Sequence, residues 1–390
     1  MKKTILPALF LLLLNAFLLE AHVPKASELT FSYPSESLTR INDLPKPASQ
    51  ISKENFLRLN DEVTYLLGSS KLSGVDQTVM PAYISNAQKD FAWLSYLLTG
   101  KFSGDLGPVT LWTMQLFLPN TVLTNINETQ FDIFTSCLSA LVVEQAAARL
   151  KEERKKIANY PIKKGEKMWT PTSPGYRGLE FGSIKPWFLQ SSGQFLADSP
   201  PEEQGFWKDQ CQKIAAAQAE LDPDKVKAVY FWAGLTEIGA GSWEKILTSY
   251  LKEKDAPLST ELYARSVFFS ALTDANTASF HSKYTFWIMR PSQQDKQIFP
   301  MITIPNHPSY PSAHSTISGT AAVILNELFP QNSKKWNELA QEAGMSRIWG
   351  GIHYPIDHEN GLKLGRKIGT FIVQKSKEQQ NSEGIKDELH

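Results

Sequence analysis

The sequence predicts a mainly α fold, a helical bundle with long connecting loops. Three observations carry that expectation. Apolar residues recur at helical spacing through most of the chain, no alternating pattern of useful length marks a strand, and Pro and Gly punctuate the helical stretches. No internal repeat is evident.

The elements follow in order. Lys2 and Lys3 precede an apolar run over residues 5–14 that extends through Ala16 to Leu19. A charged start and a short apolar stretch read as a signal peptide over residues 1–22, with an uncleaved anchor as the alternative. The expected localisation is exported, periplasmic or secreted. No later run of about 18 continuous apolar residues occurs, so no stable membrane span is expected in the mature chain.

Residues 23–50 are Pro- and Ser-rich and form a mature N-terminal arm. A helical region is expected over 51–158, with patterns at 54–67, 79–98 and 128–157. Residues 159–200 carry Pro161, Pro171, Pro174, Gly175, Gly182, Pro186 and Gly193 and lack any period. Loops of that length are functional or wrap a surface. Helical patterns resume at 201–221, 224–234, 260–287, 315–328, 334–343 and 355–375, within a core expected over 201–378 and followed by a polar tail, 379–390. Its Lys386-Asp387-Glu388-Leu389 resembles a retention signal, but His390 follows and such signals are read at the extreme terminus.

Composition narrows the function. Apolar residues make up 42% and charged residues 21%, so the chain is globular rather than disordered. Forty Lys plus Arg balance forty Asp plus Glu, which argues against a long-range field for nucleic acid or an anionic membrane. Any anion site is built locally. Two cysteines, Cys137 and Cys211, permit one disulfide, but the helical apolar setting of Cys137 favours a core thiol.

Five of seven histidines (His281, His307, His314, His353 and His358) crowd the C-terminal stretch among Arg and Lys. Lys283 and Arg290, seven apart, are expected on one face of a helix that Pro291 stops. Their neighbours are apolar, and buried cations need an anionic partner. Pro311-Ser312-Ala313-His314 leads into an apolar run and reads as a helix N-terminus with Pro in its first turn, a setting for anions. A Ser–His nucleophilic pair there lacks a nucleophile elbow. Arg347 precedes the Gly350-Gly351 turn, then His353 and Asp357, a carboxylate placed to fix the imidazole tautomer. Zinc on His353, Asp357 and His358 is the metal alternative, disfavoured by the surrounding cations. Three cations, a Ser donor, first-turn amides and two histidines match a tetrahedral oxyanion such as phosphate or vanadate.

The spacings Lys283-x6-Arg290-Pro291, Pro311-Ser312-Ala313-His314 and Ser346-Arg347-x5-His353-x3-Asp357 closely resemble the three-part signature of the type 2 phosphatidic acid phosphatase (PAP2) and vanadium haloperoxidase superfamily. Likeness to its soluble, exported bacterial haloperoxidase-like branch extends upstream through Trp169–Gly175, 185–189 and 231–234. The resemblance implies that Lys283, Arg290, Ser312, Ala313 (through its amide) and Arg347 hold the oxyanion, and that His353 is the axial ligand of vanadate or a phosphorylated nucleophile. It further implies that His314 moves protons and Asp357 orients His353. Two departures stand out: Ala313 occupies a position that is usually Gly, and Phe280 one that is often Trp. His307 sits where bromoperoxidase-like members place a histidine beside vanadate. The expected function is vanadate-dependent oxidation of halide (bromide or iodide over chloride) by hydrogen peroxide. The alternatives are an exported acid phosphatase acting on phosphomonoesters without a cofactor, and an inactive anion-binding scaffold supported by Ala313 alone.

Overall fold

The computed structural model describes residues 29–69, 72–123, 131–154, 160–165, 168–203, 205–234 and 240–382. The expected signal peptide, the first residues of the arm, the ends of the 128–157 pattern and the retention-like tail lie outside them. The described residues form thirteen α-helices and no strand, matching the all-α expectation. Two isolated antiparallel bridges, Gln50 with Ser103 and Met168 with Ile288, complete the backbone pairing among them.

The chain divides into two compact units, each assembled from separated stretches. Unit 1 takes the chain up to Leu67, Met80–Arg149 and Leu247–Val267. It holds α1 (Ser35–Asn42), α2 (Lys53–Ser69) up to Leu67, most of α3 (Gly74–Thr99), α4 (Gly107–Gln115) and most of α5 (Ile133–Arg154). Its core includes Phe56, Leu59, Met80, Phe91, Trp93, Phe134, Leu138 and Val142. Buried Asp90 draws the arm down by accepting from the Thr30 and Phe31 amides and the Tyr33 hydroxyl at 2.7–3.1 Å. By length and composition α5 could cross a membrane, but Phe134, Leu138 and Val142 are core residues here.

Unit 2 carries the expected chemistry. It contains α6 (Phe206–Ala219), α7 (Pro223–Ala233) and the start of α8 (Ala240–Glu253). The later part of α9 (Leu258–Phe286), α10 (Pro291–Gln294), α11 (Ala313–Leu328), α12 (Ser333–Trp349) and α13 (Pro355–Ser382) complete it. Helix α11 packs against both α12 and α13. The α11–α13 approach is a backbone contact made possible by glycine. A Cβ on Gly365 would lie 2.0 Å from the Thr316 carbonyl oxygen, and one on Gly361 would lie 2.8 Å from that of Ser312. Both cysteines are free thiols.

Two local expectations need correction. Arg290 does not continue the helix of Lys283. Helix α9 ends at Phe286, and Trp287 turns left-handed at φ 59°. Arg290 is then extended, at φ −76° and ψ 155°, as the N-cap of α10. The residue before a proline is sterically driven out of the helical region, and Pro291 follows Arg290. Pro311 likewise lies outside the first turn of α11, because Ser312 is the N-cap and its hydroxyl accepts from the Ser315 amide.

Candidate active site

Each part of the site is held by a different element. Lys283, near the end of α9, is buried, and its ammonium donates to the carbonyls of Pro308, Ser309 and Pro311 at 2.6–3.0 Å. Three acceptors require three protons, so Lys283 is charged. Burial first, then Arg290, lowers its pKa, and Asp357 opposes them. Its N–H groups are spent on the loop leading into Ser312, and it contributes its field from behind that loop.

Arg290 is wholly buried and forks across the site. Its Nε donates to the His307 carbonyl (3.1 Å) and its Nη1 to the Ile352 carbonyl (2.8 Å). Nη1 also lies 3.0 Å from His353 Nε2, and Nη2 lies 3.1 Å from His307 Nδ1. Burial brings its pKa down to about 10, leaving it charged at neutral pH.

His353 follows the Gly350-Gly351 turn. Gly351 has φ +71°, and a Cβ there would meet the Phe299 carbonyl oxygen at 2.7 Å. Asp357, in the first turn of α13, approaches His353 Nδ1 with its Oδ2 at 2.8 Å. The same oxygen accepts from Ser309 Oγ (2.5 Å) and the Tyr354 amide (3.2 Å). The Ser312 amide donates to the Asp357 carbonyl at 2.9 Å, tying the second motif to the third. A proton on Nδ1 leaves Nε2 with a lone pair directed at Arg290. Burial raises Asp357 to about 6, against the Ser309 hydroxyl and Lys283, so the carboxylate is ionised at neutral pH.

The last turn of α7 receives the remaining two groups. Arg347 Nη2 donates to the Val229 carbonyl (2.8 Å), and His314 Nε2 meets the Trp232 carbonyl at 3.0 Å. Carbonyls at a helix C-terminus favour such donors. Ser346 accounts for its place beside Arg347, because its hydroxyl accepts from Arg347 Nε at 3.0 Å and donates to the Ala343 carbonyl. Since the Trp232 carbonyl only accepts, His314 carries its proton on Nε2 and keeps Nδ1 free as a base. Burial, then Arg347, holds His314 well below the usual imidazole range. Burial does the same for His353 and His307, reinforced by Lys283 and Arg290. Burial lowers Arg347 to about 9.

A cavity of about 790 Å³ opens onto Ala313, His314, Arg347 and His353, with His307 and Phe280 in its wall. The ring centroids of Phe280 and His307 are 4.9 Å apart. Ala313 is the first residue of α11 and has no positive φ, so a side chain is sterically ordinary there. The Ala313 and His314 amides, in the first turn of α11, have no intrahelical acceptor. Buried within this arrangement are three cations and one carboxylate, a surplus of two positive charges. Uncompensated buried charge costs several kcal/mol per ion. The donors are N–H and O–H groups around one imidazole lone pair. That chemistry fits a tetrahedral oxyanion, vanadate or phosphate, and opposes a bare metal cation.

His281 and His358 stand apart from this cluster. His281 Nδ1 is 3.0 Å from the Tyr160 hydroxyl, and His358 lies between Ser315 Oγ and Gln341 Oε1, 3.0 Å from each. Among the described residues no group of three His, Cys, Asp or Glu could hold a metal ion.

Comparison with known proteins agrees with this architecture. A stretch of 64 residues is 33% identical to the bacitracin transport permease protein BcrC of Bacillus licheniformis, covering 16% of this chain and 32% of that protein. The chain thus spans about a third of the length of that curated relative. The crystal structure of the first bacterial vanadium-dependent iodoperoxidase superposes with a TM-score of 0.64 at 20% identity, covering 85% of this chain and 98% of that one. A holo-type bacterial vanadium-dependent chloroperoxidase superposes with a TM-score of 0.54 at 12% identity, over 93% and 97% of the two chains. At these identities the likeness is one of fold. Residues 331–382, which carry Arg347, His353 and Asp357, match the family model of the VCPO second helical-bundle domain. The chain thus shares the all-α fold of bacterial vanadium haloperoxidases, and its residues 331–382 resemble the second helical-bundle domain of that family.

Within this fold, several participants escaped the sequence reading. Ser309 holds Asp357, and the α7 carbonyls fix His314 and Arg347. Asn306 clamps the cavity mouth, accepting from the Thr172 amide (2.8 Å) and donating to the Ser173 and Gly175 carbonyls (3.1 Å each). Backbone acceptors leave no trace in residue type. Ser309, three residues before Ser312 and inside the same Pro-rich stretch, was within reach of the motif argument.

Proposed function

We propose that the chain is a vanadate-dependent haloperoxidase-like enzyme that oxidises bromide or iodide, in preference to chloride, with hydrogen peroxide. The observation that carries the reading is His353, with Nδ1 held 2.8 Å from Asp357 and Nε2 3.0 Å from Arg290, in a site that also buries Lys283 and Arg347. His353 would hold vanadate through its Nε2 lone pair. Arg290, Arg347, the Ser312 hydroxyl and the Ala313 amide would hold its oxygens, with Lys283 adding charge from behind the loop. When bound, vanadate supplies the Lewis acidity that makes peroxide electrophilic toward halide. The chain's own task is proton handling and positioning. Neutral His314 accepts a proton at Nδ1, as deprotonation of peroxide requires, while Asp357 keeps the His353 proton on Nδ1. His307, beside Phe280 in the cavity wall, supports bromide or iodide as the halide. The helical backbone at Ala313 tolerates a methyl group, which supports an active enzyme over an inactive scaffold. The signal-peptide-like pattern of residues 1–22 supports an exported location for this activity.

The test has two arms. In the first, the protein loaded with vanadate is assayed for peroxide-dependent bromination of a phenol. In the second, hydrolysis of p-nitrophenyl phosphate is assayed without vanadate. Bromination is expected, and its rate should hold through neutrality and fall only as acid passes the lowered His314 pKa, below about 6.5. A general acid at His314 would instead gain activity on acidification. Phosphatase turnover with no halogenation would replace the proposal with phosphomonoester hydrolysis through phospho-His353.

A further inference from the structure

His358 is a buried histidine that the proposed reaction does not use, yet it links the three helices that carry Ser312, Arg347 and Asp357. Its ring, on the first turns of α13, lies between Ser315 of α11 and Gln341 of α12. Nδ1 is 3.0 Å from Ser315 Oγ, and Nε2 is 3.0 Å from Gln341 Oε1. An amide oxygen only accepts, so Nε2 carries the proton and Nδ1 accepts from the Ser315 hydroxyl. Burial, then Arg366, lowers His358 to about 4, which keeps Nδ1 an acceptor at neutral pH. Helix α12 is shaped to this contact. A Cβ on Gly344 would lie 1.8 Å from His358 Nδ1 and 2.8 Å from Ser315 Oγ, so the bond forms only over a bare backbone. Glycine is among the poorest residues for a helix interior, and its place here, three residues before Arg347, answers to the ring packed on it. The backbone of Ser315 meets the site. Its amide donates to Ser312 Oγ at 3.3 Å, which uses that hydroxyl as an acceptor and leaves its proton free to donate. Ser312, Ala313 and His314 immediately precede Ser315, so the bond to His358 fixes the turn that presents all three.

We propose that His358 is a positioning residue of the oxyanion site, holding the first turn of α11 against α12 and α13 through the Ser315 hydroxyl. The inference rests on the oxyanion reading of that site and concerns its assembly rather than its chemistry. His358 acts through Ser315 on the Ser312 hydroxyl and the Ala313 amide. Its neighbour Asp357 steadies His353 from the same part of α13. Two adjacent side chains of one helix thus set both halves of the site, the oxygen donors and the imidazole.

Calorimetry with inorganic phosphate on the whole chain tests this without turnover. Ser315→Ala removes the hydroxyl, and His358→Phe keeps a flat ring over Gly344 while removing both nitrogens. Each is expected to weaken phosphate about tenfold, the lower end of the cost of losing a partner that orients a binding group. The double variant should be no weaker than either single one, because both delete the same bond. His358→Asn keeps an acceptor near the Nδ1 position and loses the reach to Gln341, so it is expected to bind within about threefold of the parent protein. A ring that served only as packing would give the reverse order, with the phenylalanine variant near normal and the asparagine variant impaired. Chemical denaturation of each variant ensures that affinities are read on folded protein. Should His358→Phe fail to fold, Ser315→Ala against His358→Asn decides, with loss in the first and retention in the second expected. Unchanged affinity in Ser315→Ala overturns the positioning role alone, as do an asparagine variant as weak as Ser315→Ala and losses that add in the double variant. Failure of the parent protein to bind phosphate overturns the oxyanion reading beneath it.

Discussion

At the scale of single residues the site depends on the shape of its donors as much as on their charge. Arg290 makes four directed contacts within 3.1 Å, to two carbonyls and two imidazoles. A lysine there would keep the charge and lose the fork, since an ammonium is a compact point donor. Arg290→Lys is therefore expected to lower kcat/KM for halogenation by roughly a hundredfold or more, the typical cost of removing one preorganised oxyanion donor. Steady-state kinetics on vanadate-loaded protein measure this. A variant retaining most of the activity would show that charge alone suffices. The residue types of this cluster were legible in the sequence because a buried anion site needs several Lys and Arg whose neighbours are apolar. The partners that aim them were not, since the Val229, Trp232, Ile352 and Pro308 carbonyls look like any other backbone.

At the scale of elements, α11 and α13 bring the Ser312 and Asp357 motifs together, and glycine lets them do so. Gly365 faces the Thr316 carbonyl so closely that an added methyl would require the two backbones to part. Gly365→Ala is expected to destabilise the fold by roughly 2–4 kcal/mol, the upper range for overpacking between rigid elements. Gly175→Ala, at positive φ but with open space, should cost only about 1 kcal/mol. Chemical denaturation compares the two, and equal costs would contradict the close-approach account. Most of the long helices were legible in the sequence, but α1 and α8 were missed, and so was α4. It is buried on all sides from Gly107 to Leu111 and at Thr113 and Met114, so no polar face gives it a period. Arg290 was placed on the wrong element because a seven-residue spacing was read as two helical turns, while the constraint of Pro291 on its predecessor points the other way.

At the scale of the whole molecule, a chain with no net charge concentrates a positive surplus at one buried point. The balanced totals conceal that surplus, and only the fold collects it from residues 283, 290 and 347. The central claim is that this point binds a tetrahedral oxyanion through His353 and the three cations. Titration of the purified protein with orthovanadate, followed by calorimetry, tests it most directly. The account predicts saturable binding of one vanadate per chain, weakened at least about tenfold by His353→Ala and by Arg347→Ala. Absence of saturable binding, or affinity unchanged in both variants, would contradict it.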